Sequence, residues 1–190
     1  MDRIRSYWRQ IKKICFDIYV NGIGGSFCCI KFVRKMIYNS VGMHVASKNI
    51  NPKNYYSGRN FNIGKDCYIG YMNFFDAIDS IVIEDRCNIA MKCSFITTTH
   101  EKGDKYRRAG TNYTKGIVIR EGTWIGANVV ILPGVTVGKG CIIAAGSVVV
   151  DDCEENSVYA GVPAIKVSTM DDQSFGENAK LIECQYEGQE

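Results

Sequence analysis

The chain has 190 residues, of which 46% are hydrophobic and 23% are charged, and its formal net charge is +3. This composition is typical of one soluble globular domain with short appendages, and it gives no reason to expect a nucleic-acid partner. No apolar run reaches the ~18 residues that a helix needs to cross a bilayer, so the sequence predicts no membrane span.

The N-terminal residues are basic, and their apolar positions follow a helical period. Residues 1–35 hold eight basic side chains against two acidic ones. Apolar residues recur three and four positions apart: Ile4, Tyr7, Trp8, Ile11, Ile14 and Ile18. This spacing predicts an amphipathic helix that glycines at positions 22, 24 and 25 end, and a second helix is predicted from about residue 27 to residue 38. The basic helix indicates either weak association with the inner face of a membrane or a solvated face.

From about residue 61 the apolar period changes to six. Apolar residues fall at positions 63, 69, 75 and 81, then after a two-residue shift at 83, 89 and 95, and again at every sixth position from 119 to 149. Three short strands with their corners give a coil of about 18 residues in a triangular prism, with one inward side chain per face. The sequence therefore predicts an all-β core of hexapeptide coils. Because residue 119 lies in phase with residue 95, the polar stretch 101–116 is predicted to be a loop extruded from one corner.

The cysteines indicate the compartment of the protein, and the acidic charge marks its C-terminal segment. The nine cysteines contain no CxxC pair, which predicts reduced, packed thiols in a cytoplasmic protein rather than a disulfide framework. We expect an N-terminal helical segment over 1–45, a β-helix over 46–167 and an acidic C-terminal tail over 168–190. In that tail six acidic residues accompany a single lysine.

A specific resemblance begins at Trp124. Residues 124–138 read WIGANVVILPGVTVG, and the segments AGSVV (145–149) and AGVPA (160–164) follow. From about residue 60 to 167 the chain resembles the left-handed β-helix acetyltransferases, which include the galactoside, maltose and polysaccharide O-acetyltransferases. The resemblance implies a left-handed parallel β-helix and a homotrimer with active sites between subunits. It also implies acetyl-CoA as the donor and a hydroxyl of a sugar or glycan precursor as the acceptor.

The same resemblance implies two catalytic residues, His100 and Asn73. His100 ends the run 95–100, where the coil pattern breaks, and in the family a histidine in this context is the general base that deprotonates the acceptor hydroxyl. Asn73 resembles an asparagine that lines the acceptor site. Its alternative role is that of a corner residue whose side chain bonds to the backbone. His44 has no comparable context and is expected to be structural or exposed.

Three further residues are candidates for binding the acceptor. The indole of Trp124 is expected to point outward, because the next residue, Ile125, is inward, and the resemblance places it at the wall of the cleft. Asp76 is expected either to position a sugar hydroxyl or to hold a turn. Arg107, in the loop 101–116, suits an anionic or glycan acceptor, and a solvated loop is the equal alternative.

The regular coils are expected to bind the donor. The resemblance places small residues beside the pantetheine arm of coenzyme A: Gly126, Ala127 and Ala145. The chain departs from the family pattern at Val150-Asp151 and at Ser168, where lysine and arginine are usual. We expect Lys166 or Lys139 to replace these missing cations at the nucleotide phosphates.

Other functions compete with O-acetylation. A metalloenzyme of the γ-carbonic anhydrase kind needs three histidine ligands, and the chain contains two histidines, so no catalytic metal is expected. A non-catalytic trimeric scaffold stays open, as do N-acetylation of an amino sugar and O-acetylation of serine. Nothing in the sequence decides among these acceptors.

Overall fold

Two helices joined by a wider helical segment precede the strands in a computed structural model, which describes residues 2–170 and the side chains from Ile4 onward. Helix α1 spans Asp2–Phe16, a π-helical segment spans Asp17–Gly24 and helix α2 spans Lys31–Ser40. The predicted helices are confirmed, but α2 begins four residues later than expected because turns occupy residues 25–29. No helix in this described part is both long and apolar enough to cross a bilayer. Most of the predicted acidic tail lies outside the described residues.

The remaining described residues form a parallel β-helix whose three faces are sheets A, B and C. Sheet A holds β1 (His44–Val45), β4 (Phe61–Ile63), β7 (Ile81–Ile83), β12 (Ile117–Ile119) and β15 (Thr136–Val137). Sheet B holds β2 (Asn49–Ile50), β5 (Tyr68–Ile69), β8 (Asn88–Ile89), β13 (Trp124–Ile125), β16 (Ile142–Ile143) and β18 (Ser157–Gly161), with antiparallel β19 (Ala164–Thr169) at its edge. Sheet C holds β3 (Tyr55–Tyr56), β6 (Phe74–Asp76), β9 (Ser94–Ile96), β14 (Val130–Ile131) and β17 (Val148–Val149). The predicted core of hexapeptide coils is confirmed.

One row of inward side chains runs along each sheet, and each side chain in it stacks on its equivalent in the next coil. These side chains are at most 3% exposed: Val45, Ile63, Ile83, Ile119 and Val137 in sheet A; Ile50, Ile69, Ile89, Ile125 and Ile143 in sheet B; Tyr56, Phe75, Phe95, Ile131 and Val149 in sheet C. Ile83, rather than Ile81, pairs with Ile63. The two residues that interrupt the period of six therefore lie before Ile81, at the end of the preceding coil. The prediction that the interruption follows Ile81 is wrong. Ile81 fills a second buried row of sheet A, between Phe61 and Ile117.

The first coils are filled by aromatic rings instead of the aliphatic side chains that fill the later ones. The ring centre of Phe75 lies 5.2 Å from that of Tyr56, 4.8 Å from Phe61 and 4.9 Å from Phe95. These separations are within the range of favourable aromatic pairs. The burial of these rings adds to the strand pairing that joins the first three coils.

Three edges, named after the sheets they join, carry the corners of the prism. The A–B edge comprises residues 46–48, 64–67, 84–87, 120–123, 138–141 and 154–156; the B–C edge comprises 51–54, 70–73, 90–93, 126–129 and 144–147; the C–A edge comprises 57–60, 77–80, 97–116, 132–135 and 150–152. The C–A edge is the irregular one. The predicted loop leaves the prism there, but it is an antiparallel hairpin of β10 (Thr98–Lys102) and β11 (Ala109–Thr114).

Most of the described cysteines are structural. Five of the eight are buried as free thiols: Cys67, Cys87, Cys93, Cys141 and Cys153. Along the A–B edge Cys67, Cys87 and Cys141 each donate to a carbonyl oxygen of the next coil, at 3.0, 3.1 and 2.8 Å. Thr123 occupies the equivalent position in the coil between those of Cys87 and Cys141, and its hydroxyl donates to the Gly138 carbonyl at 2.9 Å. These equivalent positions form one column along the edge. A small buried donor is therefore what this column requires, which accounts for cysteines outside any disulfide or metal pattern.

Arg34 ties the helical segment to the first coil. Its side chain is 2% exposed. The guanidinium donates to the carbonyl oxygens of Gly24 at 2.7 Å, Ser26 at 2.8 Å, Cys29 at 2.8 Å and Ile50 at 2.7 Å. These contacts satisfy the buried cation with backbone oxygens alone and fasten α2 against β2.

Candidate functional site

His100 lies in β10, the strand that leaves the prism at the C–A edge. Its side chain is exposed, and its backbone faces Asn112 across the hairpin. Among the described residues its imidazole has no hydrogen-bond partner. His44 is exposed in β1, on sheet A, and the described part of the chain holds no group of three or more His, Cys, Asp or Glu positioned for a metal ion. The imidazole of His100 is therefore available to exchange a proton with a bound ligand.

Asp76 holds the point where β10 leaves the prism. The side chain is 9% exposed, and its carboxylate accepts from the Ser57 hydroxyl at 3.0 Å and from the backbone N–H groups of Thr97 at 3.2 Å and Thr98 at 2.9 Å. Burial acts to raise the pKa of this carboxyl, but the hydrogen bonds from Thr98, Ser57 and Thr97 outweigh it and lower the pKa. Of the two roles predicted for Asp76, these contacts match the turn-holding one.

Asp79 anchors the other strand of the hairpin. Its carboxylate accepts from the Thr114 hydroxyl at 3.0 Å, and its backbone N–H donates to the Thr97 hydroxyl at 3.2 Å. Sequence reasoning missed Asp79 and Ser57, although it allowed Asp76 a turn-holding role. A usable signal for Ser57 was present, because Ser57 and Asp76 each directly follow an inward aromatic residue of sheet C in successive coils.

Replacing Asp76 with alanine should lower the free energy of unfolding by about 2 kcal/mol, because two backbone N–H groups lose an ionised acceptor. In the wild-type chain the ionised Asp76 contributes to the free energy of unfolding. This contribution is complete above the ordinary pKa of 3.8 and is lost as the pH falls through the lower pKa of the folded state, and Asp76→Asn should remove this dependence on pH. Urea unfolding at pH 7 and near pH 3 measures both effects, with exposed Asp151→Ala as the control. Equal losses for Asp76→Ala and Asp151→Ala at pH 7 would contradict the assignment.

Asn73 lies within the stacked corners of the B–C edge. It is 1% exposed; its side-chain amide donates to the Gly70 carbonyl at 3.1 Å and its oxygen accepts from the Cys93 backbone at 2.8 Å. The Asn73 backbone N–H in turn donates to the side chain of Asn54 at 2.8 Å. Of the two roles predicted for Asn73, these contacts match the corner role, which needs a short amide side chain bonded to backbone.

Trp124 and the two candidate alanines lie on the other side of the prism. Trp124 is 49% exposed beside the fully buried Ile125, so its indole points outward as predicted. Ala127 and Ala145 occupy equivalent corners of successive coils on the B–C edge, and Ala145 is exposed. These three residues therefore line one continuous part of the surface.

Gly126 has a packing role at a tight corner, and its contact with the donor stays a prediction. The residue is buried, and a Cβ atom there would lie 2.6 Å from the backbone nitrogen of Ala145. The glycine is thus required where two coils approach each other closely.

The two lysines expected to meet the donor phosphates are already paired. The ammonium of Lys166 lies 2.6 Å from a carboxylate oxygen of Glu154, and that of Lys139 lies 3.0 Å from Glu121. The hydrogen bond to Glu154 raises the pKa of Lys166. Exposed pairs of this kind are weak, so a phosphate would have to compete with each glutamate.

Arg107 lies in the turn between β10 and β11. Its backbone N–H donates to the Asp104 carboxylate at 2.9 Å, which shapes the turn, and its side chain is exposed. Within residues 2–170 the guanidinium forms no ion pair. Arg107 is therefore an available cation at the far end of the hairpin that carries His100.

The predicted site residues fall into two separate groups. His100 and Asp76 lie at the C–A edge, whereas Trp124 lies on sheet B and Ala127 and Ala145 lie on the B–C edge. In a triangular cross-section the C–A edge is opposite sheet B. One chain therefore does not bring the two groups together.

Comparison with known proteins is consistent with this architecture. Residues 116–151 match the family described as bacterial transferase hexapeptide (six repeats). The galactoside O-acetyltransferase of Escherichia coli (strain K12) is 34% identical over 125 residues, which are 65% of this chain and 62% of that protein. This chain thus spans about three fifths of the relative's length.

Two solved structures extend the likeness to the fold. A galactoside acetyltransferase in complex with coenzyme A superposes with a TM-score of 0.75 and 27% identity, over 87% of this chain and 84% of that one. A maltose O-acetyltransferase from Clostridium difficile 630 has a TM-score of 0.76 at 24% identity, over 85% and 88%, which shows the shared fold alone. The chain therefore carries transferase hexapeptide repeats, and its resemblance to these acetyltransferases is confirmed.

Proposed function

We propose that this chain, a hexapeptide-repeat protein similar to galactoside O-acetyltransferases, transfers an acetyl group from acetyl-CoA to a hydroxyl of a sugar or glycan precursor. The observation that carries the proposal is the exposed imidazole of His100 on a hairpin that leaves a prism of transferase hexapeptide repeats. The similar galactoside acetyltransferase was solved with coenzyme A, which supports a coenzyme A thioester as the donor.

In this mechanism the neutral imidazole of His100 takes the proton of the acceptor hydroxyl. The oxygen then attacks the thioester carbonyl carbon, and the negative charge moves to the carbonyl oxygen of a tetrahedral intermediate. Collapse of the intermediate breaks the carbon–sulfur bond, and the imidazolium returns the proton to the sulfur of coenzyme A. Asp76 and Asp79 act as positioning residues, because they anchor the two strands that carry the imidazole.

We propose that the active unit is a homotrimer in which each site joins the C–A edge of one subunit to the Trp124 side of its neighbour. Large apolar side chains on sheets B and C and the B–C edge support this: Tyr68, Tyr71, Met72, Phe74, Met91 and Trp124 are each 39–53% exposed. A surface of this kind is typical of a contact with another protein. A neighbouring subunit would cover it and supply the missing half of the site.

The pairing of both lysines favours weak binding of the donor. This pairing is also the observation that supports the alternative of a non-catalytic trimeric scaffold. Lys139 and Lys166 have carboxylate partners in the same chain. Thiol release from acetyl-CoA with a panel of galactosides, amino sugars and serine separates the candidates. Release that requires a sugar hydroxyl supports the proposal, release only with amines or serine supports those acceptors, and no release with any acceptor would favour the scaffold.

A shared site predicts complementation between two inactive variants. His100→Ala removes the base from the C–A edge, and Ala145→Trp blocks the donor edge with a large side chain. In coexpressed trimers that mix both variants at random, about one site in four pairs two intact halves, as expected for a heterologous cyclic interface. Every purified mixed trimer contains one such site out of three, so we expect it to release thiol at about a third of the wild-type rate.

Each variant expressed alone is the control and should be inactive. Activity that stays at the level of these controls in verified mixed trimers would contradict the shared site, because it would mean that both edges must come from one chain.

A further inference from the structure

Helix α1 leaves its whole apolar stripe uncovered. The stripe comprises Ile4, Tyr7, Trp8, Ile11 and Ile14 of α1 and continues to Ile18 in the π-helical segment, and each side chain is 47–64% exposed. Isolated apolar residues are common on protein surfaces, but a stripe along four helical turns is not. The described part of the chain supplies no cover for it.

The helix is attached to the prism through its opposite side. Lys13 lies about 200° around the helix from Ile11, and its ammonium donates to the Ser57 carbonyl at 3.1 Å and lies 5.6 Å from the Tyr55 ring centre. The side-chain amide of Asn21 donates to the Tyr56 carbonyl at 3.0 Å, and its oxygen accepts from the Tyr56 backbone N–H at 3.0 Å. These anchors turn the apolar stripe away from the prism.

Basic side chains flank the stripe. Arg5 and Lys12 lie about 100° from Ile4 and Ile11 respectively, and Arg9 lies beyond them. From residue 4 to residue 16 the sequence contains no acidic residue. An apolar stripe with Trp and Tyr, bordered by cations, is the pattern of helices that lie in the interface of an anionic bilayer.

We propose that α1 docks the protein on an anionic membrane surface, with the stripe among the lipid headgroups and Arg5 and Lys12 against lipid phosphates. A second copy of α1 is a poorer occupant, since it would bring the same cations face to face. At 15 residues the helix is about 22 Å long, which suits a helix lying in the interface. This docking does not depend on acetyl transfer.

The docked helix belongs to the same edge as His100. Lys13 contacts the backbone of Ser57, and the Ser57 hydroxyl donates to Asp76, which holds the base of the hairpin. The edge proposed to receive the acceptor is thereby connected to the membrane-binding element through two successive hydrogen bonds, from Lys13 to the Ser57 carbonyl and from the Ser57 hydroxyl to Asp76.

Sedimentation of the full chain with lipid vesicles tests this docking. The chain should bind vesicles of equal phosphatidylcholine and phosphatidylglycerol, and bind pure phosphatidylcholine more weakly. Ile11→Glu should weaken binding to the anionic vesicles at least tenfold more than Ser6→Glu, which adds the same charge outside the stripe. Lys12→Ala should weaken it by about fivefold, the usual contribution of one basic residue near an anionic surface.

Circular dichroism and size-exclusion chromatography show whether each variant keeps its fold and assembly. No binding of the wild-type chain to the anionic vesicles would overturn the proposal, and so would equal binding of Ile11→Glu and Ser6→Glu. A change of oligomeric mass in Ile11→Glu alone, with vesicle binding equal to that of Ser6→Glu, would also overturn it and assign the stripe to a second copy.

Discussion

Replacing His100 with alanine should lower the turnover of acetyl-CoA by about two or more orders of magnitude, which is the usual contribution of a general base. The side chain is exposed and bonded to no described residue, so its removal should leave unfolding and assembly unchanged. Thiol release under saturating acceptor measures kcat, and light scattering measures the assembly. The effect should fall on kcat rather than on KM for the donor, because the imidazole acts on the reacting hydroxyl.

The other histidine provides a matched control. His44 is also exposed, but it lies in β1 of the first coil, whereas the strand that carries His100 leaves the third coil. His44→Ala should therefore turn over acetyl-CoA at the wild-type rate. Near-normal turnover in His100→Ala, or equal losses in the two variants, would remove His100 from the proposed mechanism.

Replacing Phe75 with alanine should lower the free energy of unfolding by about 3–5 kcal/mol, the cost of a large cavity in a packed core. Phe75 is fully buried and lies against Tyr56, Phe61 and Phe95. Its loss would leave a gap on the axis where no neighbouring coil can collapse inward without breaking its own strand pairing. The midpoint of urea unfolding, measured at one protein concentration, gives the loss.

Tyr106→Ala is the control for this loss. Tyr106 is 86% exposed at the tip of the hairpin, so its truncation should change the free energy of unfolding by less than about 0.5 kcal/mol. A comparable loss in both variants would contradict the assignment of the aromatic stack as the core of the first coils.

The fold could be predicted from one-dimensional periodicity because each coil contributes to the core at a constant interval. An inward Ile125 requires an outward Trp124, and both directions follow from the hexapeptide phase alone. The same rule failed near Ile81, since both Ile81 and Ile83 are buried and either fits an apolar ladder. Only the pairing of Ile83 with Ile63 decides which of them continues the row.

The candidate site was harder to predict, because the edge of the prism that a residue occupies is known only once the coils are stacked. Asn73 and Asp76 are three residues apart, yet one is a buried corner of the B–C edge and the other holds the C–A edge. A motif that includes both gives no means of separating them. Hydrogen-bond partners separate them, because Asn73 bonds to the backbone of Cys93 on the B–C edge, whereas Asp76 bonds to the backbone of Thr98 on the C–A edge.

The sequence alone determined the repeat, its inward rows outside the stretch near Ile81 and the position of the extruded segment, because these properties depend on spacing along the chain. The choice of His100 as the candidate base rested instead on the resemblance to the β-helix acetyltransferases. The tertiary structure decided which edge each residue occupies, that Lys139 and Lys166 already have partners, and that the stripe of α1 faces away from the prism. Those properties depend on contacts between residues far apart in sequence, such as Lys13 with Ser57, and no periodicity encodes them.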